Sequence, residues 1–123
     1  MIEIGLKHTS EMTVTDAVTA SYIGSGDMPV LATPAMMALM ENAAMLAVAK
    51  ELAEGSTTVG GHIESSHIRP SKIGDKITAT AEVTNIDGKK IFFKVSAYFE
   101  DVLLGEGTHL RFIVDRGKFM AKL

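Results

Sequence analysis

Glu41 is the residue whose chemistry most needs explaining. Its neighbours three and four positions away are Met37, Ala38, Ala44 and Met45. On a helix these are the residues it would touch, and none can pair with a carboxylate. Burying an unpaired carboxylate is costly or forces its pKa upward. Either a distant residue pairs with Glu41, or it faces a wet cleft. A strand Lys or Arg would make it a structural ion pair. A cleft would make it a catalytic carboxylate, acting as general base on water or as a nucleophile. The second unusual stretch is Gly60-Gly61-His62-Ile63-Glu64-Ser65-Ser66-His67-Ile68-Arg69. As a strand, it has no good core face on either side. Gly60 and Gly61 allow a ligand close to the backbone, and His67 can move a proton near neutral pH. His8 and His109 read as surface or hydrogen-bonding residues, and His62 is ambiguous.

Several chemistries are excluded or disfavoured. With no Cys there is no thiol nucleophile, thiolate metal site or disulfide framework. No Ser lies in a nucleophile-elbow sequence. His62, Glu64 and His67 are close in sequence, but His62 and His67 project from opposite faces of a strand, which argues against a metal. Lys and Arg number 12 against 15 Asp and Glu, a net charge of −3, with no Trp and two Tyr. That is a poor nucleic-acid binder.

The elements that would position these residues are legible from punctuation and period. Residues 11–20 are rich in Thr and Val, which predicts a strand. Residues 24–29 read as a loop. Thr33 is a good N-cap and Pro34 suits the first helical position, so a helix is expected over 35–54, closed by Gly55. Apolar side chains point in every direction along it, so it should be buried all round. After Gly55 the period becomes two. Ile77, Ala79, Ala81 and Val83 alternate with polar residues. Asp87-Gly88 is a hairpin signal. Ile91 to Phe99 alternates next, then Leu110, Phe112 and Val114 against His109, Arg111, Ile113 and Asp115. Gly105 and Gly107 suggest a bulge or turn entering that last strand. The 123 residues suit one domain, of class α+β: one long buried helix wrapped by a curled antiparallel sheet of about five strands.

A strand, a long buried helix and a curling meander resemble the hotdog fold. The segment Thr33-Pro34-Ala35-Met36-Met37-Ala38-Leu39-Met40-Glu41-Asn42-Ala43-Ala44, with Gly60 to His67 and Gly107-Thr108-His109-Leu110-Arg111, resembles the fluoroacetyl-CoA thioesterase-like branch of that superfamily. The similarity runs from about residue 10 to Phe119. It implies a single hotdog thioesterase-like domain over residues 1–123. It also implies that Thr33, Glu41 and His67 act together at a thioester, that Gly60 brings a backbone N–H to the substrate, and that Arg111 lies near the CoA end. Relatives of this kind are dimers or dimers of dimers with the acyl site between subunits. Residues 22–31 depart from the pattern, holding one aromatic, Tyr22, where the fluoroacetyl-selective enzyme is more aromatic.

The expected function is hydrolysis of a small acyl-CoA thioester without a cofactor or metal. Glu41 serves as base or nucleophile, assisted by His67 and Thr33, and the N–H of Gly60 or Gly61 meets the oxyanion. The alternative is a non-catalytic hotdog module that binds acyl-CoA or another small ligand. Thr33 and Glu41 lie eight residues apart, about 12 Å along a helix. Their side chains cannot meet within it, so either the substrate bridges them or they come from different subunits, and the second is favoured as matching an interface site. Residues 116–123 carry Arg116, Lys118 and Lys122 and no acid. That basic end suits a nucleotide phosphate, or is an ordinary solvated terminus. No apolar run reaches the roughly 20 residues of a membrane span, and the N-terminus lacks a secretory pattern. A cytoplasmic protein is expected.

Overall fold

The computed structural model describes all residues, 1–123. Five antiparallel strands form one sheet: β1 (Lys7–Thr13), β2 (Ser56–Ser65), β3 (Lys76–Asp87), β4 (Lys90–Phe99) and β5 (Val102–Asp115). Their order is β1-β3-β4-β5-β2. Three helices accompany them: α1 (Ala20–Ile23), α2 (Thr33–Ala49) and α3 (Arg116–Ala121). The sheet curls around α2, whose main contacts are with β3 and β1. The two-residue Gly88-Lys89 link, with Gly88 at φ 61°, makes the expected hairpin between β3 and β4. Inward-facing Ile77, Ala79, Ala81 and Val83 of β3 meet Ile91, Phe93, Val95 and Ala97 of β4. The facing Ala79–Ala97 pair is small, which leaves room for the helix.

The structure differs from expectation in four places. Only residues 7–13 pair with β3; the rest of the Thr/Val-rich segment turns away. There the Thr19 hydroxyl accepts a hydrogen bond from the Tyr22 N–H at 3.3 Å, starting α1, and Gly24 at φ 94° ends it. Local capping by Thr wins over strand propensity. Helix α2 stops at Ala49, five residues early. Gly55 instead makes the turn, at φ 83°, that brings Ser56 opposite Asp115 of β5. Thr33 is not the N-cap: Ala32 holds that position and makes no side-chain cap bond. The fourth correction concerns β5, where His109 and Arg111 face inward, opposite Phe93 and Ile91. Directly paired residues share a face, so the buried faces of β4 impose this, and Leu110, Phe112 and Val114 lie on the outside.

Helix α2 buries Ala35, Met36, Leu39, Met40, Ala43, Ala44 and Val48. The all-round burial expected of it is not completed by this chain, because Ala38, Asn42, Leu46 and Ala49 stay exposed. The outer edge of β2 is also unpaired.

Candidate active site

Two clusters emerge at different points along α2. The first is at its N-terminus. The Thr33 hydroxyl, freed from capping, lies 2.7 Å from His67 Nδ1. His67 is held there by an irregular continuation of β2. The Ser66 N–H donates to the Glu106 carbonyl at 3.0 Å, and the Ile68 N–H to the Leu104 carbonyl at 2.7 Å. This crossing passes so close to β5 that a side chain at Gly105 would strike the Ser66 carbonyl. The bulge expected near Gly105 is present in β5: Ala97 of β4 pairs with Gly105 and Tyr98 with Leu103, leaving Leu104 as the extra residue. Because β2 ends at Ser65, His67 does not follow strand alternation. Its Nε2 is buried with no hydrogen-bond partner. Burial pushes the His67 pKa below the ordinary 6.5, and the nearby Arg69 backbone offsets part of that without closing a well-formed bond. A cavity opens beside this pair, lined by Ala20, Val30, Thr33, His67 and Arg69 among others.

The second cluster surrounds Glu41, two turns further along. Asn42 Oδ1 accepts a hydrogen bond from the Ser10 hydroxyl of β1 at 2.7 Å. This fixes the helix rotation and turns Glu41, about 100° away, toward β2 and β5. Its carboxylate is 40 % exposed in an open groove with Ala38, Met45, Thr58 and Gly60. Both possibilities raised for it are therefore present: it faces a cleft, and distant basic groups lie below it. Glu41 Oε2 is 3.9 Å from Arg111 Nη1 and 3.9 Å from His109 Nε2. Those distances exceed hydrogen-bond range, so the carboxylate feels positive charge but stays unbonded and available.

The groups beneath are rigidly placed. Arg111 Nε donates to the Thr58 hydroxyl at 2.7 Å and Nη2 to the Thr58 carbonyl at 2.9 Å. Its Nη1 faces His109 Nε2 at 3.2 Å. A guanidinium only donates, so Nε2 accepts and the ring proton sits on Nδ1, 2.7 Å from the His62 carbonyl. Burial, aided by Arg111, holds His109 below 6.5 against the opposing pull of the His62 carbonyl and Glu41. Burial also lowers the Arg111 pKa, partly opposed by Glu41, but a guanidinium stays charged. Gly60 explains how the carboxylate fits, since a Cβ there would lie 2.7 Å from Glu41 Oε2.

The sequence-predicted residues thus divide. Thr33 meets His67, while Glu41 meets Gly60 and Arg111. The side-chain direction of Gly61 points away from both clusters, at the Phe112 ring on the outer face. Arg111 sits under Glu41, 3.9 Å from its carboxylate. Sequence reasoning passed over His109 and Thr58; the signal for His109 was the pairing of β5 with the apolar face of β4. At the end of the sheet, Lys118 and Lys122 join Lys89 around a cleft with Phe119. The cleft's one acid, Asp115, is engaged in capping α3, accepting from the Lys118 N–H at 2.9 Å. No helix is long and apolar enough to cross a membrane.

Comparison with known proteins places this geometry in a family. A model of the fluoroacetyl-CoA-specific thioesterases (FlK) matches residues 14–117. The fluoroacetyl-CoA thioesterase of Streptantibioticus cattleyicolor is 35% identical over 94 residues, 76% of this chain and 68% of that protein. A structure of fluoroacetyl-CoA thioesterase FlK superposes with a TM-score of 0.92 at 30% identity, covering 99% of this chain and 95% of the other. A variant of that enzyme bound to acetyl-CoA gives 0.93 at 28% identity, covering 98% and 96%. The chain belongs to the fluoroacetyl-CoA-specific thioesterase family and is a thioesterase of the hotdog fold.

Proposed function

We propose that this protein hydrolyses a small acyl-CoA thioester in a site shared by two copies of the chain, one supplying Thr33 and His67, the other Glu41, Gly60 and Arg111. The observation that carries this reading is the split itself: Thr33 and His67 touch at 2.7 Å, while Glu41 lies in a separate groove. Two further features support it. The ten-residue edge of β2 is open to pairing, and the exposed face of α2 beside it lacks cover. The acetyl-CoA complex of the relative supports CoA as the carrier.

In the reaction, Glu41 activates water by taking its proton, or attacks the thioester carbonyl to give a mixed anhydride. Arg111 lies beneath it, with Nη1 3.9 Å from Oε2. The β2 register shift between Gly60 and His62 leaves the Gly61 backbone outside the regular ladder, which suits an N–H aimed at the oxyanion. The tetrahedral adduct collapses with cleavage of the C–S bond. Thr33 and His67, paired through Nδ1, relay the proton released by the attacking water to the departing thiolate, so that His67 ends in the protonation state in which it began. Lys89, Lys118 and Lys122 neutralise phosphates of the CoA nucleotide.

The test is thiol release from a panel of acyl-CoAs, read with a thiol-reactive dye; the protein lacks Cys and adds no background. Wild type should turn over at least one substrate. Glu41→Ala and His67→Ala should lose most of the rate while still binding CoA. Binding without release by wild type would overturn the reading in favour of a ligand-binding module. A single turnover in ¹⁸O-water separates the two roles of Glu41, because only the anhydride route puts label into its carboxylate.

A further inference from the structure

The cavity beside the Thr33–His67 pair has a volume of about 350 Å³. Its walls are Ala20, Val30, Leu31, Ile68 and Pro70, its rim includes the Ser25 hydroxyl, and no Asp or Glu lines it. Arg69 is the one permanently charged side chain there. Its guanidinium has no carboxylate within 4.0 Å and no side-chain hydrogen bond. Its backbone is nonetheless fixed on both sides. The Ile68 N–H is bound to Leu104, and the Ser71 carbonyl accepts from the Leu31 N–H at 2.9 Å. Pro70 restricts the conformation of Arg69 itself. An anchored, unpaired cation beside an apolar wall and a reactive pair is what an anionic acyl group would need. Tyr22 is 65 % exposed and does not line the cavity, so no aromatic ring closes it at that point.

We propose that Arg69 recognises the free carboxylate of a short dicarboxylic acid carried as its mono-thioester, so that the acyl group spans from the Thr33–His67 pair to the guanidinium. Two residues of chain extend at most about 7 Å, so the base of Arg69 lies within that distance of His67, close enough for one short acyl group to reach both. A four- or five-carbon diacid, such as a succinyl or glutaryl group, has a length of this order, and a neutral acyl chain leaves the guanidinium unanswered. Arg offers two parallel donors to a carboxylate. The inference rests on the thioesterase reading and names its substrate class.

The experiment compares succinyl-CoA with butyryl-CoA, of equal carbon count and differing in the terminal carboxylate, in wild type and Arg69→Gln. Wild type should favour succinyl-CoA in kcat/KM. The substitution should lower the succinyl-to-butyryl ratio by about 10- to 100-fold, the range of a charge-assisted hydrogen bond. Because Arg69 is exposed, the Gln variant should fold, and a far-ultraviolet circular dichroism spectrum checks that. An unchanged ratio, or a wild type that prefers butyryl-CoA, would overturn the proposal; equal loss on both substrates would place Arg69 on the CoA portion instead. Calorimetric binding of the same two thioesters is measured alongside. If no thioester is cleaved, the thioesterase reading fails. Tighter binding of succinyl-CoA that disappears in Arg69→Gln would still support carboxylate recognition, and equal binding would refute it.

Discussion

Glu41 owes its position to an atom that is missing. Gly60 lacks the Cβ that would stand 2.7 Å from its carboxylate. Gly60→Ala should therefore displace the flexible end of Glu41 into the open groove. A displacement of about 1 Å costs on the order of 100-fold in rate, so kcat should fall by about that factor in the thiol-release assay. The midpoint of chemical denaturation should move little. His109 makes a second prediction, on stability. Its folded-state pKa lies below 6.5, the unfolded value. The unfolded chain therefore binds the proton first as pH falls, so this contribution is full above about 6.5 and is lost below it. Melting temperature should hold from pH 8 to 7 and decline toward pH 5. His109→Gln, which cannot titrate, should flatten that decline. Glu41 was legible in the sequence because a charge among methionines breaks a local pattern. His109 and Thr58 were not, because a polar residue on a strand looks ordinary until its partner strand defines which face is inside.

At the scale of elements, strands β3 and β4 and their hairpin could be read directly, since alternation and Asp87-Gly88 are local signals. The ends of α2 could not. Thr33-Pro34 has the composition of a helix cap, but a hydroxyl serves either its own helix or a neighbour, and the approach of His67 decided between them. That approach depends on the segment after β2 crossing β5 over two glycines, a long-range event without a sequence period. The short helix α3 carries its own prediction. It sets Lys118 and Lys122 beside Lys89 of the β3–β4 hairpin. Replacing all three with Ala should raise KM for an acyl-CoA by about tenfold, from a few exposed ionic contacts. The corresponding N-acetylcysteamine thioester has no phosphate, so its KM should be far less affected. An equal effect on both substrates would remove the lysines from nucleotide binding.

For the whole molecule, the decisive quantity is the length of α2 between Thr33 and Glu41, about 12 Å of helix. This spacing was available from the sequence alone and already favoured a shared site. The sheet order then showed β2 at an open edge, which a single chain's alternation cannot reveal. A mixing experiment follows. Glu41→Ala and His67→Ala are each expected to be inactive alone. Mixed and allowed to exchange subunits, they should recover about one quarter of wild-type activity, because about half the two-fold pairs are mixed and each holds one intact site. If all three residues acted within one chain, no activity would return.

The same spacing bears on gene dosage. In the proposed shared site, a copy lacking both Glu41 and His67 would leave no intact site in any pair it entered, because each site of a mixed pair would lose one of the two groups. A copy lacking only one of them spares the other site. In a cell making mutant and normal chains in equal amounts, the double substitution would behave as a dominant inhibitor, and the single substitutions as partial losses.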